Sequence, residues 1–144
     1  MLRHVLMLAF VAAASTALAA SEGSATEEGW HSLFNGKNLK EWKVAENPDS
    51  VEVKDGMIVC HGPRAHAYYV GPVEDHDFKN FELKMDVMTT TGANSGVFFH
   101  TESQEQGSPK KGYEAQVNVS HPDPTKTGSL FAVEHIEKPT HKDG

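Results

Sequence analysis

The chain has a single cysteine, Cys60, among 144 residues. No intrachain disulfide can form, so the fold must rest on burial and hydrogen bonding. Cys60 follows the apolar run Met57-Ile58-Val59 and reads as a buried, inert thiol. Nothing near it in sequence marks the accessible, electropositive setting of a reactive cysteine. Positive charge is also scarce: 13 Lys and Arg stand against 20 Asp and Glu, a net charge of −7. That balance argues against nucleic acid and anionic membrane surfaces as partners. No segment sustains a period near 3.6, which excludes a helical bundle. The nine histidines are scattered, without the i, i+4 or finger-like spacing of a local zinc site. A zinc finger and a His-Glu-x-x-His protease are thereby excluded, though not a metal site assembled from distant strands.

Long apolar runs are missing except near the N-terminus. Met1-Leu2-Arg3-His4 is a short basic start, Val5 to Ala14 is apolar, and Ala17-Leu18-Ala19 has the small-x-small form of a cleavage site. The apolar run is too short to span a bilayer comfortably. Residues 1–19 therefore read as a secretory signal peptide cut after Ala19, and 20–28 as a flexible leader. No cysteine follows the cut, so no lipid anchor and no membrane association are expected once the signal is removed. Cleavage removes Arg3 and no acid, leaving 12 basic against 20 acidic residues, or −8, on 125 residues. That length suits one exported domain, periplasmic or secreted.

Strands and turns recur every 8–15 residues along the remainder. Asn35-Gly36 is a turn signal, and Trp42 with Val44 suggests a short strand. Val51–Lys54 and Met57–Cys60 flank Asp55-Gly56, the composition of a type I′ hairpin. Ala67–Val70 is a short strand. Phe81, Leu83, Met85 and Val87 alternate with polar partners as a half-buried strand. Ser129–His135 reads as another strand. This rhythm predicts an all-β sandwich or jelly roll.

Two segments carry chemistry. In Gly112-Tyr113-Glu114-Ala115-Gln116-Val117-Asn118, strand alternation puts Glu114, Gln116 and Asn118 on one face and Tyr113, Ala115 and Val117 on the other. In Asn94-Ser95-Gly96-Val97-Phe98-Phe99-His100, alternation sets Val97 and Phe99 against Asn94, Phe98 and His100. Carboxylate, amides, imidazole and an aromatic ring on one sheet face suit a sugar. A polar strand face is more often the solvated side of an antiparallel sheet. Two details favour a site: Glu, Gln and Asn are poor strand formers, and Gly96 and Gly112 suggest close backbone approach or a bulge.

These residues resemble a known family. Gly29-Trp30-His31-Ser32-Leu33-Phe34-Asn35-Gly36-Lys37-Asn38-Leu39, Val53-Lys54-Asp55-Gly56, Asp77-Phe78-Lys79-Asn80-Phe81-Glu82-Leu83, Asn94–Phe99, Gly112–Val117 and Thr127-Gly128-Ser129-Leu130-Phe131 are similar, in order, to motifs of the 3-keto-disaccharide hydrolase domain family. The resemblance implies a concanavalin A-like jelly-roll sandwich of antiparallel strands with a sugar-facing surface. It implies exported proteins that act on glycosides oxidised to a 3-ketone. The family domain runs past Gly144, so residues 29–144 read as its N-terminal part. The expectation is an incomplete sandwich with open edges, unstable alone or self-associating through them.

A C3 ketone acidifies the C2 proton. A base can remove that proton, the enolate can expel the glycosidic oxygen, and water can add back, giving net hydrolysis. This route needs a base near C2 and donors or a metal near the ketone oxygen. It does not need the opposed carboxylates of ordinary glycosidases. Within the resemblance, Glu114, His100 and His121 are the catalytic candidates. Asn94, Ser95, Phe98, Gln116 and Asn118 are the substrate-binding ones. Asp123, with His121 or Glu114, is the candidate holder of a divalent metal ion, and no other cofactor is expected. The family more often has arginine at the position of His100 and aspartate at that of Asn118. His121-Pro122-Asp123-Pro124 reads equally well as a rigid loop, and Asn94 as a turn residue entering its strand. A non-catalytic carbohydrate-binding module and an inactive fragment are the alternatives to an enzyme.

Overall fold

The computed structural model describes the backbone of residues 2–6 and the whole of residues 29–144. The expected signal peptide and leader lie outside the described residues, apart from Leu2–Leu6, which forms strand β1. The remaining strands are β2 (Trp42–Ala45), β3 (Val51–Lys54), β4 (Met57–Cys60), β5 (His66–Tyr69), β6 (Phe81–Met85), β7 (Ser95–Phe99) and β8 (Tyr113–Val117). The only helical pieces among the described residues are 3-10 turns at Pro48–Ser50 and Val73–His76. The chain is thus all-β, as the sequence rhythm and the concanavalin A-like resemblance imply. Three ladders are antiparallel: β2 with β5, β3 with β4, and β7 with β8. β1 runs parallel to β6.

The chain divides into two compact units, residues 1–86 and 87–144. The first is organised around buried Leu33 and Phe34, with Leu39, Trp42, Val53, Ile58, Tyr69, Phe78 and Leu83 packed against them. Trp42 donates its indole Nε1–H to the Leu33 carbonyl at 2.8 Å, so the large ring packs partly buried against the core without losing a hydrogen bond. The Trp42 and Tyr69 rings meet edge-on at 5.4 Å, in cross-strand register between β2 and β5. The Asn35 side-chain oxygen accepts from the backbone N–H of Lys37 and Asn38, which closes the Asn35-Gly36 turn. Asp55 (φ 51°) and Gly56 (φ 77°) take the two left-handed positions of a type I′ turn, with Lys54 opposite Met57.

Three sequence expectations need correction. Cys60 is exposed, because β4 ends there and runs into the exposed residues 61–64. Desolvation still raises its thiol pKa, so it remains a poor nucleophile. β6 stops at Met85, and Val87 (51% exposed) and Met88 (64%) do not continue the buried face. Ser129–His135 is a tight bridged turn rather than a strand: Ala132 takes φ 59°, and Leu130 pairs back onto Glu134.

The second unit is held differently. Among its described residues the only buried hydrophobic one is Val117, while Thr89, Gln116, Asn118, Thr125 and Ser129 are buried and polar. Burying such groups is tolerable only when they are hydrogen-bonded. Gln116, Asn118 and Ser129 all find partners within the unit.

Candidate active site

β8 is bonded along both edges. On one side β7 pairs with it in the register Gly96 to Gln116 and Phe98 to Glu114. On the other side the Phe131 N–H donates to the Glu114 carbonyl, and the Gln116 N–H to the Ser129 carbonyl. A side chain on such a strand is aimed more firmly than one on a loop. The register puts Glu114, Gln116, Gly96 and Phe98 on one face, as alternation predicts.

Glu114 lies directly over Gly96. A Cβ built at Gly96 would overlap the Glu114 Oε1 and come within 2.7 Å of its Cγ. Glycine is therefore what lets the carboxylate lie flat on the sheet. Desolvation raises the Glu114 pKa, and the negative charge of Asp123 raises it further. A carboxylate tuned upward on a sheet face has the character of a general base.

Beside it runs a chain of hydrogen bonds. Gln116 Nε2 donates to Asn94 Oδ1 at 2.6 Å, and Asn94 Nδ2 faces His121 Nδ1 at 3.4 Å. The Asp123 backbone N–H also donates to His121 Nδ1, at 3.1 Å. The Asp123 carboxylate accepts from the Thr125 N–H at 2.8 Å, which holds its pKa down, with smaller help from the Thr125 hydroxyl, His121 and Lys126.

The loop carrying His121 is rigid for a reason in one residue. Asn118 is 0% exposed. Its amide donates to the Asp123 and Thr125 carbonyls at 3.0 and 2.8 Å, and its side-chain oxygen accepts from the His121 N–H at 3.0 Å. Lys126 Nζ caps the His121 carbonyl at 2.6 Å. The reading of His121–Pro124 as a rigid loop and the reading of His121 as a site residue are thus compatible.

The structure groups Glu114, Gln116, Asn94, Phe98, His121 and Asp123 in the second unit. It treats three expected residues otherwise. Ser95 sits opposite Val117, in strand parity with Val97 and Phe99, away from the Glu114 face. His100 leaves the strand at φ 52°, where alternation no longer applies, and its ring meets that of Phe99 at 5.7 Å. Asn118 spends its amide inside the loop, so it can reach a sugar only if the loop opens. No group of three His, Cys, Asp or Glu side chains among the described residues could hold a metal ion, and Asp123 Oδ1 is already engaged by the Thr125 N–H. Sequence reasoning missed the Asn118 clamp and the Lys126 cap.

A half-buried, desolvated carboxylate beside the Gln116 and Asn94 amides on an all-β scaffold has the character of the surfaces that carbohydrate-active β-proteins present. The comparison with known families narrows this. Residues 29–144 match the 3-keto-alpha-glucoside-1,2-lyase-like domain, and the chain belongs to that family. It is 32% identical over 79 residues to the 3-keto-disaccharide hydrolase of Bacteroides thetaiotaomicron, a match covering 50% of this chain and 27% of that protein. The chain thus spans about a quarter of that relative's length. No solved structure matches significantly. No described helix is long and apolar enough to cross a membrane.

Proposed function

We propose that this protein cleaves glycosides whose sugar carries a ketone at C3, by elimination across C1 and C2 followed by addition of water. The observation that carries this reading is the Glu114 carboxylate, desolvated, raised in pKa and seated over Gly96. Glu114 takes the C2 proton. The electron pair moves into the C2–C3 bond and onto the ketone oxygen. It returns to form the C1–C2 double bond as the glycosidic oxygen leaves with the C1–O bonding pair. That oxygen takes the proton Glu114 carries, and water adding across the double bond, OH to C1 and H to C2, completes a net hydrolysis with Glu114 ionised again. A 1,2-lyase and a hydrolase differ on this route only in whether the water step takes place on the enzyme, which reconciles the two family descriptions.

Phe98, in register with Glu114, offers a ring for the apolar face of a sugar, and the Asn94 amide lies close by to hold hydroxyls. Export through the N-terminal signal belongs to the same proposal, because the glycans to be degraded lie outside the cell.

The test is turnover of a 3-keto-disaccharide by the native chain and by Glu114→Gln. Loss of about 10²–10⁴-fold in kcat is the range for removing a general base. Unchanged turnover would remove Glu114 from the mechanism. Binding of the sugar with no cleavage by any variant would instead make the chain a carbohydrate-binding module, since a fold does not fix a function.

A further inference from the structure

We propose that the edge of β6 covered by β1 is the dimerisation surface of this protein: once β1 leaves, β6 pairs antiparallel with β6 of a second copy, about a two-fold axis at Leu83. β1 lies within residues 1–19, so removal of the expected signal peptide would take it away. The edge itself can be tested in the full chain.

β1 shows that this edge accepts a whole strand. It is paired along all five positions of β6, from Leu2 beside Phe81 to Leu6 beside Met85, and it is the only ladder partner of β6 among the described residues. β6 has anchors of its own. Leu83 and Met85 pack against the Leu33–Phe34 core, and Lys84 Nζ stands 4.0 Å from the centre of the Trp30 ring. When β1 goes, a held strand is left with an open row of backbone N–H and C=O groups, the template that a further strand completes.

The side chains say which strand fits. β6 reads Phe81-Glu82-Leu83-Lys84-Met85, and alternation puts Glu82 and Lys84, 46% and 53% exposed, on the face opposite Leu83 and Met85. In an antiparallel pair centred on Leu83, each Glu82 faces Lys84 of the second copy, Phe81 faces Met85, and Leu83 faces Leu83. Opposite charges directly across a ladder attract, and like charges there repel. A slip of two residues brings Glu82 against Glu82 in one direction and Lys84 against Lys84 in the other. A slip of one sets charged residues opposite apolar ones. Parallel pairing in register also sets like against like. One register therefore satisfies both charges, and it is the self-complementary one, which closes with two copies instead of growing into a filament. A partner strand of a single charge would match only one of the two residues.

The test is the oligomeric state, read by sedimentation velocity over a range of protein concentration. The full chain, with β1 in place, is expected to be a monomer. Arg3→Pro combined with His4→Pro is expected to dimerise. Neighbouring residues of a strand send their N–H groups to opposite edges, so one of the two prolines removes a bond to β6. The chain processed on export lacks β1 without any substitution. It is expected to dimerise as well, and it keeps the test decisive should the prolines unfold the protein. In the opened chain, Glu82→Lys alone or Lys84→Glu alone sets like charges opposite each other and should weaken the dimer about tenfold. An equal mixture of those two variants should restore it, because the two changed strands then face each other with opposite charges at both positions. Full and opened chains that sediment alike would overturn β6 as the surface. Dimers indifferent to both charge changes would overturn the register.

Discussion

The carboxylate of Glu114 occupies the space where a Cβ of residue 96 would stand. Gly96 and Glu114 are on neighbouring strands of one antiparallel pair, offset by two residues, and the overlap reaches Oε1, Cγ and Cδ together. The whole end of the glutamate, not just one flexible tip atom, therefore depends on the glycine.

Gly96→Ala is expected to leave the hairpin folded and to displace the Glu114 carboxylate. Position 96 lacks the left-handed backbone that would forbid alanine. The cost should then appear in catalysis: a misplacement near 1 Å is worth about 10²-fold in rate. Kinetics alongside a thermal melt check this. A large fall in melting temperature with activity preserved in the folded fraction would contradict it.

The pH dependence follows from the raised pKa of Glu114. As a base it must be ionised, so kcat/KM should fall as pH drops through its folded pKa, with the inflection above the ordinary glutamate value of 4.5. The stability sign is opposite. A carboxyl raised on folding favours the folded state below its unfolded pKa, and that contribution is lost as pH rises through the folded value. Glu114→Gln should therefore melt higher than the native chain near neutral pH. An equal or lower melting temperature there would contradict the assigned desolvation.

Asn118→Ala should be strongly destabilising. It removes two amide donations and one acceptor from a fully buried position, leaving the Asp123 and Thr125 carbonyls unpaired, a cost of about 2–4 kcal/mol. Asn118→Asp should be no better, because a carboxylate would face those two carbonyls. Denaturant midpoints of the three proteins measure it. A well-tolerated aspartate would mean that the loop can turn its carbonyls away.

Asp143 accepts from the Thr89 and Ser120 hydroxyls at 2.7 and 2.6 Å, and these bonds, led by that of Ser120, lower its pKa. Its stabilising contribution is present above its unfolded pKa and lost as pH falls through the folded value. Asp143→Asn should flatten the acid limb of the unfolding profile of the second unit. An acid limb identical in both proteins would mean that Asp143 does not hold Thr89 and Ser120 together in solution.

Much of this was legible in the residues. Period-two alternation placed Glu114 and Gln116 together, and Asp55-Gly56 named its turn, because both are local properties of the backbone. Alternation also carries the information that Ser95 faces away from the Glu114 side of the sheet, so it does not share a surface with Gln116. His100 was not legible: a residue at the strand end obeys alternation only while φ stays extended. Nor was Asn118, since a buried amide and a sugar-facing amide look the same in one dimension. What separates them is whether the loop from 121 to 127 folds back over the strand. The exposure of Cys60 is not legible either, because an apolar run says which residues are greasy, not where the sheet ends.

Gly96 also bears on how this protein can vary. A site is usually described by the side chains that line it, yet the seat of the Glu114 carboxylate is set by an atom that is absent. Any substitution at residue 96 adds that atom, and every one of them reaches the carboxylate before it reaches a substrate. A single extra methyl group there would displace the carboxylate without touching any other residue of the candidate site. In sequences built on this strand pair, an alanine at that position would mark a sheet whose glutamate can no longer lie flat against its neighbour.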